Sequence, residues 1–201
     1  YNLTQHQLEH TLFPVGNYEK DEIRRLAEEA GLRVAHKPDS QEICFVPDGD
    51  YAGFIERETG KKEAVGNFVS LDGRVLGQHK GIGHYTVGQR KGLGIALGEP
   101  AFVVEIIPET NEVVLGKGED VFSHHLTANQ VNCMAVSEFH KGQEVLAKIR
   151  YNHAGQKAVI TDVGEDSFSL EFPEPVRAVT PGQAVVLYDN NYVLGGGTII
   201  R

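Results

Sequence analysis

Two thiols, Cys44 and Cys133, stand 89 positions apart in a chain of 201 residues. A thiol attacks as its thiolate, so its reactivity follows access and the charges around it. Cys44 lies between Ile43 and Phe45, company that suits a small buried hydrophobe. The surrounding stretch HKPDSQEICFVPDGD (36–50) is bounded by prolines and rich in turn formers, which argues for an accessible loop. Lys37 would lower the thiol pKa and Asp39 and Glu42 would raise it, so local sequence leaves both readings open. Cys133 alternates with Val131 and Ala135 along one face of an expected strand and reads as core. Two distant cysteines build neither a disulfide scaffold nor a Cys-rich zinc site, and they fit a reducing compartment.

Nine histidines are dispersed. The adjacent pair His124-His125 would point to opposite faces of a strand and makes a poor chelate, so no metal site is expected. No GxSxG motif and no Ser-His-Asp grouping is identifiable. The stretch GIGHYTVGQRKGLGIALG (81–98) has neither GxGxxG spacing nor a following Gly-Lys-Ser/Thr, so neither a dinucleotide site nor a P-loop is supported. Its glycines permit close backbone approach, and Gln89, Arg90 and Lys91 sit in the middle. That combination suits contact with a phosphate backbone and equally a tightly turned structural loop with a solvated basic tip. Arg150-Tyr151 closes an expected strand. An exposed Arg-Tyr pair offers a phosphate donor and a stacking face to RNA. A snorkelling Arg beside a half-buried Tyr is the plain structural alternative.

Charge separates the chain into three parts. Nineteen basic against twenty-eight acidic residues give a net charge of −9, which disfavours a global nucleic-acid or anionic-membrane surface. Residues 61–98 depart from that average: Lys61, Lys62, Arg74, Lys80, Arg90 and Lys91 against Glu63 and Asp72 leave a net of +4. This positive stretch lies between two negative ones.

The elements that must position these residues follow from periodicity. Ile23, Leu26, Ala27 and Ala30 predict a helix over 18–32, with Asn17 as N-cap and Gly31 as the stop. A shorter helix is expected over 3–13, with Leu8 and Leu12 on one face, and a helical turn or two over 51–60. From residue 64 the period moves towards 2. Hairpins are expected around Asp72-Gly73 (strands 65–70 and 74–79) and around Pro108–Asn111 (strands 101–107 and 112–115). Further short strands are expected at 127–136, 144–151, 156–163, 167–172, 183–188 and 192–200, the pattern of a small antiparallel barrel or sandwich. At 40% apolar and 23% charged the composition is that of a globular protein, and the length suits one large domain or two small ones. No apolar run approaches the roughly 18 residues of a membrane-spanning helix, and no basic-then-apolar leader opens the chain. The chain opens at Tyr1 rather than Met, as a piece of a longer protein would.

The stretches LFPVGNYEKDEIRRLAEEAGL, KPDSQEICFV, HYTVGQRKGLGI, VTPGQAVVLY and LGGGTI, in this order, resemble the C-terminal half of the tRNA-specific 2-thiouridylase family. The resemblance runs over essentially all 201 residues, and DSQEICF and TVGQRKGLGI are its most specific parts. It implies an α+β chain, mainly β. Residues 1–50 would be the helical end of an α/β catalytic domain with the persulfide-cysteine loop. Residues 51–118 would form a small, mostly β central domain. Residues 119–201 would form a six-stranded antiparallel β-barrel of translation-factor type.

In that family an ATP-pyrophosphatase domain with an SGGVDSS-like loop activates the 2-carbonyl oxygen of the wobble uridine of tRNA, a cysteine persulfide delivers sulfur, and a second cysteine releases it through a disulfide. By resemblance the persulfide cysteine maps to Cys44. The RNA contacts map to Arg150, Tyr151 and Gln183, with Arg90 and Lys91 as weaker candidates. The implied partners are tRNA and a persulfide-donating sulfur-carrier protein, with no membrane; the implied state is a cytoplasmic monomer. The sequence has no SGGVDSS-like loop, and Cys133, being in the barrel, is not the second cysteine. ATP, with Mg, would therefore be bound outside these residues, and the chain alone is expected to be inactive. The rival expectation is a non-catalytic RNA-binding β-barrel module in which Cys44 is inert. A thiol redox protein is disfavoured by the lack of CxxC.

Overall fold

The computed structural model describes residues 1–38, 43–46 and 48–200. They form two compact units, His6–Gly60 and the remainder, Tyr1–Gln5 with Lys61–Arg201.

The 6–60 unit carries the helices α1 (Gln5–Glu9), α2 (Lys20–Glu29) and α3 (Tyr51–Thr59). Helix α2 is shorter than its apolar period predicts, and its N-cap is Glu19 rather than Asn17. The Glu22 carboxylate accepts from the Glu19 N–H at 3.1 Å while the Glu19 side chain accepts in return. This reciprocal box satisfies two orphan donors at once, which a lone Asn17 cannot. Gly31 does stop the helix, at φ 68°. Leu32 N–H donates to Ala27 O and Gly31 N–H to Glu28 O, both at 2.9 Å, the double closure that needs a left-handed residue at this place. The helix expected over 3–13 shrinks to α1. Thr11 turns its hydroxyl back onto Gln7 O at 2.6 Å, a local bond that competes with the ladder, and Pro14 follows. Helix α3 begins where Asp50 accepts from Gly53 N–H and ends at left-handed Gly60.

The larger unit holds a four-stranded sheet and a closed barrel. In the sheet, β1 (Gly66–Ser70) and β2 (Val75–His79) form one hairpin, β3 (Phe102–Ile107) and β4 (Glu112–Gly116) the other. Both were legible from their turn residues. The order β2-β1-β4-β3 joins them through a parallel β1–β4 pair, which the sequence does not announce. The glycine-rich stretch packs back on this sheet: Tyr85 and Leu93 are buried with Phe68, Val103, Val113 and Leu115.

The barrel strands are β5 (Phe122–Cys133), β6 (Glu144–Lys148), β7 (Gln156–Val163), β8 (Ser167–Arg177), β9 (Ala184–Asp189) and β10 (Tyr192–Ile199). They close in the order β10-β5-β8-β7-β6-β9, every pair antiparallel. Closure leaves no free edge, and inward residues such as Leu126, Ile160, Phe168, Leu170 and Leu187 fill the interior, each worth about 1.5–3 kcal/mol on burial. Two strands exceed the expected lengths. β5 starts at Phe122, and β8 passes Pro173 and Pro175 to reach Arg177. The prolines are accommodated because the β5–β8 register shifts there, Ser123 facing Val176 but His125 facing Glu171. Proline, which cannot donate to the ladder, belongs at such an irregularity.

This topology has a functional consequence. β6 and β8 both run towards the end of the barrel at which β9 begins, since each step around the closed sheet is antiparallel. The β6–β7 connection (149–155) and the β8–β9 connection (178–183) therefore share one rim.

Candidate functional site: an exposed thiol and a basic rim

In the 6–60 unit, Cys44 is free and exposed. It sits in a turn closed by Val46 N–H donating to Ile43 O at 2.9 Å. Among the described residues of this stretch Val46 alone is buried; Ile43 and Phe45 face outwards, with the Phe45 ring 5.3 Å from that of Phe54. The turn thus anchors on Val46 and presents the thiol to solvent. Of the two sequence readings of Cys44, the buried one fails. Asp39 and Glu42, the acidic neighbours weighed above, lie outside the described residues. Cys133 differs. It is partly buried against the barrel core, and burial, with a smaller contribution from the Glu138 charge, pushes its thiol above the ordinary value of 9.0.

On the shared rim, Tyr151 is 98% exposed, the reverse of a half-buried ring. Arg150 is partly buried at the end of β6. The turn that carries both is held by His153: its N–H donates to Arg150 O at 3.0 Å, and its Nδ1 accepts from Ile149 N–H at 3.5 Å. That bond requires an unprotonated Nδ1. Burial first, then the Arg150 and Lys148 charges, depress the His153 pKa below 6.5. Gln183 is exposed at the end of the β8–β9 connection, where its carbonyl accepts from Ile199 N–H at 2.7 Å. The β6–β9 pairing runs as far as Lys148 opposite Val186, so Arg150 and Tyr151 follow β6, and Gln183 precedes β9, at the same rim. Strand pairing therefore gathers three residues that are up to 33 positions apart in sequence.

Arg90 and Lys91 are exposed at the tip of the glycine-rich turn. The rest of that stretch is the structural loop of the plainer reading. Gly88 N–H donates to Val103 O at 2.7 Å and Val103 N–H to Gln89 O at 2.9 Å, which stitches the turn to β3. The stretch opens with a 3-10 turn over Ile82–His84, continues into β3 and contains no α-helix. The backbone N–H groups needed to cradle a triphosphate are thus not assembled among the described residues of this stretch. ATP does not fit this turn.

Two features escaped the sequence reading. Arg177, at the end of β8, lies over the Phe102 ring; nothing in the sequence links positions so far apart. His6 and Glu9 of α1 and His10 just after it, all exposed, bring one ligand atom each to within 4.8 Å of one another. The i, i+4 histidine spacing was the available signal. His10 Nδ1 is engaged by His6 O at 2.7 Å. His124 and His125 make no such group. β5 is irregular between Ser123 and His125, and His124 Nδ1 instead bonds Phe172 O at 2.8 Å.

Three family models match in succession: the tRNA methyl transferase HUP domain over residues 1–48, the tRNA methyl transferase PRC-barrel domain over 52–117, and the aminomethyltransferase beta-barrel domain over 123–199. Among curated relatives, the tRNA-specific 2-thiouridylase MnmA of Lachnoclostridium phytofermentans is 64% identical over 201 residues, 100% of this chain and 56% of the relative. Those of Carboxydothermus hydrogenoformans and Clostridioides difficile are 52% and 51% identical over 199 residues, covering 99% of this chain and 54% and 55% of their own lengths. The chain thus spans about half the length of the curated relatives it matches. With its mainly β architecture, its closed barrel and this succession of domains, the chain belongs to the tRNA-specific 2-thiouridylase family and corresponds to the C-terminal part of its members.

Proposed function

We propose that this chain is the sulfur-carrying and part of the RNA-holding portion of a tRNA 2-thiouridylase, a sulfurtransferase acting at the 2-position of the wobble uridine. The observation that carries the reading is the exposed Cys44 thiol, held on a turn anchored by Val46. In the first step the Cys44 thiolate attacks the terminal sulfur of a persulfide on a sulfur-carrier protein. A new S–S bond forms on Cys44 and the donor leaves as its thiolate. The terminal sulfur of the Cys44 persulfide, a stronger nucleophile than the parent thiol, then attacks the activated carbonyl carbon; the activated 2-oxygen departs with its activating group, and the thiolate of the second cysteine attacks Sγ of Cys44, breaking the S–S bond so that the outer sulfur stays on the base and a disulfide is left behind. An exposed turn suits a group that must meet a protein donor and afterwards a base turned out of its stack. Activation by ATP with Mg, and the second cysteine, are assigned to the part of the family's length that this chain does not span.

Arg150, Tyr151 and Gln183 are read as tRNA contacts, with Arg90 and Lys91 beside them. An exposed aromatic next to a guanidinium offers stacking and a phosphate donor. The three parts of the chain are read as the end of the catalytic domain (1–50), a central domain (51–118) and the RNA-binding barrel (119–201), in a monomeric cytoplasmic protein.

The test is made on the natural full-length protein. Incubated with a persulfide donor, it should gain the mass of one sulfur atom on the peptide bearing Cys44, and Cys44→Ser should lose both the adduct and 2-thiouridine formation. Undiminished thiolation by Cys44→Ser would overturn the catalytic role and leave an RNA-binding module with an inert cysteine. The 201-residue chain alone should make no 2-thiouridine.

A further inference from the structure

The sheet and the barrel meet where the turn at Gly88 lies against Ala178. A Cβ on Gly88 would stand 2.8 Å from the Ala178 methyl, and Arg177 Nη2 donates to Gly88 O at 3.5 Å. The same seam gathers two guanidiniums on one ring. The central carbon of Arg90 lies 6.0 Å from the Phe102 centroid, and that of Arg177 lies 5.5 Å from it. Like charges repel, so this convergence is held by the ring quadrupole and by the packing of Gly88 on Ala178. Among the described residues no carboxylate pairs with Arg90 or Arg177. Asp120, on the connection into β5, instead accepts from Lys117 N–H at 2.6 Å.

Two planar cations fixed over an aromatic, exposed and without a counter-ion among the described residues, match the forked recognition that guanidinium gives phosphate. Their place in the fold selects the kind of phosphate. Arg177 ends β8, so it stands at the rim that also carries Arg150, Tyr151 and Gln183, and it enters the same β8–β9 connection that ends at Gln183. Arg90 comes from the positively charged segment of the chain. Together they continue the basic rim across the junction onto the four-stranded sheet, a path for an extended polyanion.

We infer that Arg90 and Arg177, seated over Phe102, form a phosphodiester-binding seam that carries RNA contact from the barrel rim onto the neighbouring sheet. The inference rests on the RNA-binding reading above and adds to it a second site, a residue (Arg177) and an orientation for the bound strand.

The experiment measures tRNA affinity of the natural full-length protein against salt concentration, for wild type, Arg150→Ala, and Arg90→Gln/Arg177→Gln. Each lost phosphate contact should make the slope of log K on log salt shallower by about 0.7–0.9, so the double variant should lose about twice that. Arg90→Lys/Arg177→Lys should recover most of the slope, because charge is restored without the planar fork. A purely structural clamp would show in the melting temperature of the glutamine variant and leave the slope unchanged; that result overturns the seam. An altered slope for Arg150→Ala with an unaltered one for the double variant likewise overturns the seam and spares the RNA-binding reading. No slope change in either variant overturns both. Should the glutamine variant fail to fold, wild type alone decides the matter. Bound tRNA should slow amide exchange at residues 88–91 and 176–178, and unslowed exchange there refutes the site.

Discussion

A relay thiol has to be reachable, whereas a core thiol has to be inert, and the two cysteines divide along that line. Cys44 is exposed on its turn, while Cys133 is partly buried with a pKa raised by desolvation. At neutral pH iodoacetamide should label Cys44 at least about tenfold faster than Cys133, as peptide mass spectrometry would read. Labelling of Cys133 should become fast only above the ordinary thiol value of 9.0. A second prediction concerns His153. Its folded pKa lies below the ordinary 6.5, so the unfolded chain binds more protons between the two values. The stability this group contributes is present above 6.5 and lost as pH falls through the depressed value. Between pH 7.5 and 5 the wild-type melting temperature should drop more steeply than that of His153→Gln, whose side-chain carbonyl can still accept from Ile149. Parallel curves would show that His153 does not hold the Arg150–Tyr151 turn.

Backbone conformation decides what the glycine-rich turn tolerates. Gly88 has φ 87° and Ala178 has φ 56°, and the two meet almost without clearance. Gly88→Ala should therefore cost about 1–3 kcal/mol, measured by chemical denaturation. Ala178→Gly in the same chain should restore part of it, since the opposing methyl disappears and a positive φ is relieved. Additive costs would mean that the two positions do not touch. Local turn chemistry made much of this architecture legible. Asp72-Gly73 and Pro108–Asn111 announced both hairpins, and Gly31 announced the end of α2. The parallel β1–β4 pair was not legible, because it depends on Asn111. The Asn111 amide donates to Ala64 O and Val65 O at 3.2 and 3.1 Å, and its carbonyl accepts from Asn67 N–H and sits 3.2 Å from Nε2 of His79. His79, only 3% exposed, accepts at Nδ1 from Gly81 N–H, so the neutral tautomer donates from Nε2. Such a knot joins residues far apart in sequence. The thiol and the Arg150-Tyr151 pair carried local signals of their own. Arg177 over Phe102 is a tertiary product and left none.

Across the whole molecule, burial is uneven. The barrel is filled by residues such as Phe168, Phe172 and Leu187 that water does not reach, while the 6–60 unit leaves Leu12 89% and Phe13 63% exposed. Few buried contacts mean low local stability. Hydrogen exchange of this chain should therefore show the amides of 6–60 opening at least about a hundredfold more readily than those of β5, β7 and β8. Uniform protection would show a single cooperative block. No described helix is long and apolar enough to cross a membrane. The barrel's two mouths also carry different residues. One bears Arg150, Tyr151, Arg177 and Gln183. The other bears the tight β9–β10 link, where Asn190 sits at φ 52° and Asp189 pairs with Tyr192. A dye or an immobilisation handle grafted between Asn190 and Asn191 would leave the mouth proposed to meet RNA unobstructed and give single-molecule studies a fixed point of attachment.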